Sequence, residues 1–177
     1  MNTDKPLVNK IAASGLITFK LEDLLPKADY AELDLKDYLF HGLILKEKDF
    51  RTALKELDWS QFEQKTLLVY CSTDAIIPMW AYMLVAAYAT PYAADIFQGS
   101  QEEYLKYKLN QQLDQLDYSQ YEGQRLVIKG CGEEPIPAAA YLEITRRLQP
   151  IAQSIMYGEP CSTVPIFKRK KVKLSTK

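Results

Sequence analysis

The chain has 177 residues, of which 47% are hydrophobic and 25% charged, and its net charge is −1. This composition is typical of a globular protein with a full core, and it excludes a strong general attraction to nucleic acid or to anionic membranes. The N-terminus lacks the basic and apolar layout of a signal peptide, and the most apolar run, 76–89, is too short to span a bilayer. With three cysteines and no secretory signal, we expect reduced thiols and a cytoplasmic protein.

The two ends of the chain differ from its middle. Residues 16–21 alternate like a strand, so we expect a small N-terminal β element or arm within residues 1–30. Residues 31–167 form a single predicted α/β domain. The basic segment 168–177 is expected to be a flexible, solvated tail rather than a nucleic-acid site.

The middle of the chain contains an internal repeat. The motif DWSQFE at 58–63 returns as DYSQYE at 117–122, an offset of 59 residues (117 − 58). Four further positions recur at the same offset: Pro78, Ala81, Tyr82 and Pro91 match Pro137, Ala140, Tyr141 and Pro150. We therefore predict a duplicated β-α-β-α unit, with copies at about 37–92 and 94–151 and a final strand at 153–157.

Each repeat alternates predicted strands with helices of about ten residues, a pattern that favours parallel strands with right-handed crossovers. The strands at 67–70 and 126–128 are continuous apolar runs, as expected for strands covered on both faces. The predicted fold is thus a three-layer α/β domain with a mostly parallel sheet of about five strands.

The rarest reactive residues follow the ends of the predicted strands. In chain order, the residues at or soon after these ends are His41, Cys71, Gln98, Cys131 and Cys161. Parallel strands end at one edge of a sheet, where ligands usually bind. The three cysteines and the single histidine are therefore predicted to lie at this edge.

Three thiolates and one imidazole form a common ligand set for structural zinc, and an iron-sulfur cluster is an alternative cofactor. The sequence lacks the Cys-x-x-Cys spacing of common zinc modules, so the predicted site depends on the folded sheet. The alternative for each thiol is an inert place in the core, where cysteine is common.

Five further residues are candidates for a supporting role. Asp74 and Glu134 each follow a cysteine by three residues and precede a predicted helix, so they are helix caps, partners of a metal ligand or metal ligands themselves. Tyr82 and Tyr141 either pack in the core or line a pocket. Gln98, the repeat counterpart of His41, is a candidate pocket residue.

The sequence alone leaves three functional classes open. The first is a metal-binding protein whose site has three cysteine ligands, Cys71, Cys131 and Cys161, and one histidine ligand, His41. The second is an interaction or scaffold protein with structural cysteines, and the third is a cysteine-dependent redox protein. Catalysis, substrate and oligomeric state, including a homo-oligomer, are left open.

Four long motifs carry a resemblance over residues 8–171: SGLITF at 14–19, GLILKEKDFR at 42–51, DAIIP at 74–78 and YGEPCSTVP at 157–165. Together they resemble a bacterial family named domain of unknown function 2480. The resemblance implies no particular activity. It implies a link to iron-sulfur cluster assembly proteins as partners, an association that stands as an analogy only.

Overall fold

The computed structural model describes residues 15–130, 135–159 and 162–170. The strands within these ranges are β1 (Leu16–Phe19), β2 (Tyr30–Asp34), β3 (Leu39–Phe40), β4 (Ile44–Leu45), β5 (Thr66–Tyr70), β6 (Asp95–Gln98), β7 (Arg125–Ile128), β8 (Ser154–Glu159) and β9 (Ser162–Lys168). The α-helices are α1 (Glu47–Glu56), α2 (Met79–Ala89), α3 (Gln101–Gln115) and α4 (Ala138–Leu148). None of the described helices is long and apolar enough to cross a bilayer.

The predicted α/β class is confirmed, because the helices alternate with strands that pair mainly in parallel. The strands do not, however, form one sheet of about five. They form a four-stranded sheet of order β1-β7-β8-β9, a three-stranded sheet of order β2-β5-β6 and the hairpin β3-β4. Strands β5 and β7 have separate sets of parallel partners: β5 pairs with β2 and β6, whereas β7 pairs with β1 and β8.

The chain divides into two compact units. The continuous unit is Pro26–Leu105, and the split unit combines Met1–Leu25 with Lys106–Lys177. The predicted N-terminal β element is therefore strand β1, which pairs with β7 in the sheet of the split unit. That residues 31–167 behave as one domain stays a prediction.

The continuous unit is built on β5, the central strand of its parallel sheet. Its first four residues, 66–69, are all buried, as expected for a strand covered on both faces. Helix α1 carries acidic residues in its first turn and buries Phe50 and Leu54, which are one turn apart, in the core of this unit. Helix α2 buries Ala81 and Val85 in the same core.

Strand β7 is central in the sheet of the split unit, where β9 runs antiparallel to β8. The core of this unit combines Phe19 from β1, Leu113 from α3 and Ile144 from α4, all of which are buried. The chain reaches this sheet first through β1, then returns to it with β7 only after the whole continuous unit.

The described elements recur at the spacing of the sequence motifs. Thr66 pairs with Asp95 in the continuous unit, and 59 residues later (125 − 66) Arg125 pairs with Ser154 in the split unit. Helices α2 and α4 begin at residues 79 and 138, the same distance apart (138 − 79). That a gene duplication produced this order stays a prediction.

Two local predictions are corrected. The strand predicted to end before His41 does not belong to a parallel sheet: residues 39–40 pair antiparallel with Ile44–Leu45, because the chain reverses through His41 and Gly42, which both have positive φ. The tail was predicted to begin at residue 168, but Lys168 ends β9. Arg169 is held by a backbone hydrogen bond to Gln153 and by guanidinium hydrogen bonds to the carbonyls of residues 149 and 150.

Candidate functional site

Cys71 directly follows β5 and opens the segment that leads to α2. This segment ends at Pro78, which is extended and whose carbonyl accepts the first hydrogen bond of the helix from the Ala81 N–H at 2.9 Å. The Cys71 thiol is half-buried at the margin of the core, and its Sγ lies 3.2 Å from the Thr73 hydroxyl. The local sequence thus places a thiol at the carboxyl end of the central strand.

Asp34, at the end of β2, fixes the start of this segment. Its Oδ1 accepts hydrogen bonds from the backbone N–H groups of Ser72 and Lys36, both at 3.0 Å, and its Oδ2 lies 3.1 Å from the Lys36 ammonium. Burial by itself raises the pKa of Asp34, but the hydrogen bonds from Ser72 and Lys36 outweigh it and hold the pKa well below its usual range. Asp34 is therefore an anion that holds two neighbouring strand ends in place.

A cavity of about 710 Å³, here called the Cys71 cavity, opens at the carboxyl ends of β5 and β6. Its lining comes from the ends of these strands, from β2, from the segment between β5 and α2, and from the beginnings of α2 and α3, all within the continuous unit. The side chains with polar groups are Glu32, Tyr70, Cys71, Thr73, Tyr82, Gln98, Ser100, Gln101 and Glu103. Ala75, Ile76, Ile77 and Met79 provide an apolar wall.

Two tyrosines of the cavity have perturbed hydroxyls. The Tyr70 hydroxyl donates a hydrogen bond of 2.7 Å to Glu32 Oε2, which with burial and nearby carboxylates raises the pKa of Tyr70 to about 12. Burial, and then the proximity of the Cys71 thiol, raises the pKa of Tyr82. Both hydroxyls therefore stay protonated at neutral pH and can donate or accept hydrogen bonds.

Glu103 enters the cavity from the first turn of α3, where it forms a capping box with Ser100. Its Oε2 accepts hydrogen bonds from the Ser100 backbone N–H at 2.7 Å and from the Ser100 hydroxyl at 2.8 Å. Gly99, just before, has a φ of +133°, and a Cβ there would come within 2.7 Å of the same carboxylate oxygen. A glycine therefore lets Glu103 fold back over the turn.

The structure brings together three of the residues predicted from the sequence. Cys71, Tyr82 and Gln98 line the Cys71 cavity, whereas Asp74 is exposed and does not line it. His41 does not line it either, because it lies on the turn of the β3-β4 hairpin, exposed and with its ring centroid 4.0 Å from that of Phe40. The predicted role of His41 as a ligand stays a prediction.

Tyr141 is placed in the split unit, where it lines a mainly apolar cavity of about 840 Å³ between α4 and the sheet. Its ring packs edge-on against that of Tyr157, with 5.7 Å between the centroids. The Tyr157 hydroxyl in turn lies 3.4 Å from the carbonyl oxygen of Gly130. Cys131, Glu134 and Cys161 lie outside the described residues.

Within 15–130, 135–159 and 162–170, no group of three or more histidine, cysteine, aspartate and glutamate side chains is arranged to hold a metal ion. The described part of the chain therefore provides at most part of the predicted set of three cysteines and one histidine.

Sequence reasoning missed four residues around Cys71: Glu32, Asp34, Tyr70 and Glu103. A signal existed for Glu103, because Ser-x-x-Glu before a helix is the spacing of a capping box. No comparable signal existed for Glu32 and Asp34, since their role depends on the pairing of β2 with β5, which joins residues 36 positions apart (66 − 30).

The fold and the site define an α/β protein with a thiol-bearing cavity at the carboxyl end of a parallel sheet. Residues 5–169 match the sequence profile of the family described as protein of unknown function, DUF2480. The chain belongs to this family. No curated protein and no solved structure was found to be similar to it.

Proposed function

We propose that the protein binds a metal ion or a small metal cluster through its cysteines. Cys131, Cys161 and Cys71 are the proposed thiolate ligands, and His41 is the proposed fourth ligand. Zinc and iron, the latter as an ion or as an iron-sulfur cluster, are the metals that suit such a donor set.

The observation that carries the proposal is the convergence of two described segments on the end of β8. Gly130, the residue before Cys131, contacts Tyr157 through its carbonyl oxygen. Ser162, the residue after Cys161, pairs with Glu159 two positions beyond Tyr157. The described residue before Cys131 and those on both sides of residues 160–161 therefore lie close to the same strand end, which supports Cys131 and Cys161 as ligands of one metal.

The position of Cys71 gives independent support for a functional thiol. An inert core cysteine would be fully enclosed, but Cys71 is half-buried and lines an open cavity. Cys71 directly follows the central strand of its sheet, and Cys131 comes three residues after the last residue of β7 (131 − 128). We infer that the two positions arose by tandem duplication, which makes them equivalent candidates for ligands.

The test is metal analysis of protein purified without oxygen and without an affinity metal, together with an absorption spectrum. A stoichiometric amount of zinc without colour would identify a zinc site. Iron with acid-labile sulfide and a brown colour would identify a cluster, and would also support the proposed link to iron-sulfur assembly partners. Absence of metal would contradict the proposal.

Single-residue variants then identify the ligands. We expect Cys131→Ser and Cys161→Ser to lower the bound metal sharply, and Cys71→Ser and His41→Ala to show whether the continuous unit contributes. Ser72→Ala, next to Cys71, is the matched control and should keep the metal content of the wild type. Unchanged metal in all four ligand variants would contradict the assignment.

The second candidate function is that of an interaction protein, and one observation favours it. Helix α2 contains no charged residue, and its outward face exposes 71% of Met79 and 72% of Met83, next to Ile76 at 92%. Helices that are apolar on all sides are usually buried. If this function is correct, Met83→Glu should abolish binding to a partner, and all three thiols should be alkylated slowly without any metal.

A further inference from the structure

The Cys71 cavity has the size and the place of a small-molecule site. Its volume of about 710 Å³ falls within the range of roughly 300–1,000 Å³ that such sites occupy. It lies at the carboxyl ends of β5 and β6, the edge at which open parallel sheets bind ligands. The metal site proposed above does not require this volume.

The charge in the cavity has one sign. Among the described residues that line it, Glu32 and Glu103 are acidic, and none is lysine, arginine or histidine. Lys36 lies near Cys71, but its ammonium is paired with Asp34 at 3.1 Å. The ionisable side chains that the described lining presents to an entering molecule thus include the carboxylates of Glu32 and Glu103.

The backbone amides of Gly99 and Ser100, at the beginning of α3, do not form an anion site that would offset the carboxylates of the cavity. The Gly99 N–H donates to the Val69 carbonyl at 3.0 Å, and the Ser100 N–H donates to Glu103 at 2.7 Å. These two amides, which would otherwise bind an anion at this helix end, are already engaged. Neither of these two amides is therefore available to a phosphate or a carboxylate.

The remaining lining suits the body of a small organic cation. Ile76, Ile77 and Met79 form an apolar wall, and Tyr70 and Tyr82 belong to the same lining. Aromatic rings and carboxylates together are the usual recognition elements for ammonium groups. We infer that the Cys71 cavity binds a small molecule that carries an ammonium group on an apolar body.

Cys71 itself can report the charge selectivity of the cavity. Its thiolate attacks the sulfenyl sulfur of a methanethiosulfonate, forming a mixed disulfide and releasing methanesulfinate. We would compare the cationic 2-(trimethylammonium)ethyl reagent with the anionic 2-sulfonatoethyl reagent, follow the Cys71 peptide by mass spectrometry, and normalise the rates to N-acetylcysteine. The cationic reagent should be favoured by roughly fivefold for each nearby carboxylate.

Isosteric variants connect the selectivity to named residues. In Glu32→Gln the amide oxygen can still accept from Tyr70, and Glu103→Gln preserves the capping box. The double variant should lose most of the cationic preference, whereas Glu56→Gln, at the exposed end of α1, should retain it. A wild-type ratio of one or less, or a ratio unchanged in the double variant, would overturn the inference.

Protection shows whether a ligand occupies the cavity. n-Butylammonium at millimolar concentration should slow the reaction of Cys71 with neutral iodoacetamide, whereas butyrate and n-butanol should not. No protection by n-butylammonium, or equal protection by butyrate, would refute an ammonium site. Metal content measured on the same samples keeps this result separate from the proposed metal function.

Discussion

Asp34 shows how one side chain can join two strand ends that are distant in sequence. Its carboxylate accepts hydrogen bonds from backbone groups at residues 36 and 72, and so connects the end of β2 with the segment that carries Cys71. Charge-assisted hydrogen bonds of this kind are stronger than those between neutral groups. The position of the thiol therefore depends on a charge on the neighbouring strand.

We expect Asp34→Asn to lower the free energy of unfolding by about 1–3 kcal/mol at pH 7, because the amide accepts the same bonds less strongly. The pKa of Asp34 is depressed in the folded protein, so the stabilisation is complete above the unfolded pKa of about 4 and is lost as pH falls below it. Urea titrations at pH 7 and pH 3 measure the difference between wild type and variant.

The difference should be large at pH 7 and should shrink at pH 3. Asp74→Asn is the matched control, because Asp74 is exposed and belongs to the same segment. A variant that loses as much stability at pH 3 as at pH 7 would show that the carboxylate charge is not the cause.

Gly158 is a second position at which a single residue determines the local structure, here the pairing of β8 with β9. Its φ is +121°, and a Cβ there would lie 2.5 Å from the backbone oxygen of Ser162 on the paired strand. Both the conformation and the space exclude a side chain. The close pairing of β8 with β9 next to Cys161 therefore requires glycine.

Gly158→Ala is expected to destabilise the split unit by about 2–4 kcal/mol, since it combines backbone strain with a backbone clash. Gly123→Ala is the control, because Gly123 also has a positive φ of +65° but has no atom within 4 Å of the added Cβ. Thermal unfolding of both variants tests this. Equal losses would indicate that strain alone, without the clash, determines the effect.

At the scale of elements, α1 and α3 end in the same way: an aromatic side chain beyond the helix donates a hydrogen bond to a backbone carbonyl of its last turn. The Trp59 indole N–H donates a hydrogen bond of 2.8 Å to the Leu54 carbonyl, and the Tyr118 hydroxyl donates one of 2.7 Å to the Leu113 carbonyl. In both cases the aromatic residue follows the acceptor by five positions. A carbonyl that the helix leaves without a partner at its end is thereby satisfied.

Trp59→Phe is predicted to cost about 2–4 kcal/mol, because it leaves a buried carbonyl unpaired and removes part of a ring that stacks on Tyr88. Tyr118→Phe should cost only about 0.5–1.5 kcal/mol, because Tyr118 is partly exposed and the ring is kept. Chemical denaturation of both variants gives the comparison. A larger loss for Tyr118→Phe would contradict this account of the helix ends.

The elements also show what the sequence could predict. Strands β5 and β7 were recognisable because their apolar runs are continuous, and α2 and α4 because each follows a proline. The hairpin at His41 was not recognisable from the sequence, because a histidine followed by a glycine also occurs at an ordinary strand end. The left-handed backbone conformation of His41 is visible only in the structure. The Cys71 cavity required the pairing of β2 with β5, which no local pattern encodes.

At the scale of the whole molecule, the order of the chain differs from the order of the sheets. Strand β1 belongs to the sheet of β7, and the complete β2-β5-β6 sheet lies between them in sequence. Hydrophobic periodicity identifies each strand but not its neighbour, so one sheet of about five strands was a reasonable but incorrect expectation.

Deletion of residues 1–25, so that the chain begins at Pro26, should therefore destabilise the split unit only. The shortened chain lacks β1, and with it the buried Phe19 and Leu21 and the Glu22 carboxylate that pairs with Lys129 at 2.8 Å. We expect faster hydrogen exchange in β7 and unchanged protection in β5, as measured by mass spectrometry. Loss of protection in β5 as well would show that the continuous unit depends on the residues before Pro26.

The separation of β1 from β7 in sequence also determines the order in which the two sheets can form during protein synthesis. Leu16 pairs with Arg125, so 109 residues (125 − 16) must be translated after Leu16 before its partner exists. At ribosomal rates of about 5–20 residues per second, this strand waits roughly 5–20 s with an unpaired edge. The β2-β5-β6 sheet is complete well before then, so a nascent chain contains one finished sheet while the other still consists of a single strand.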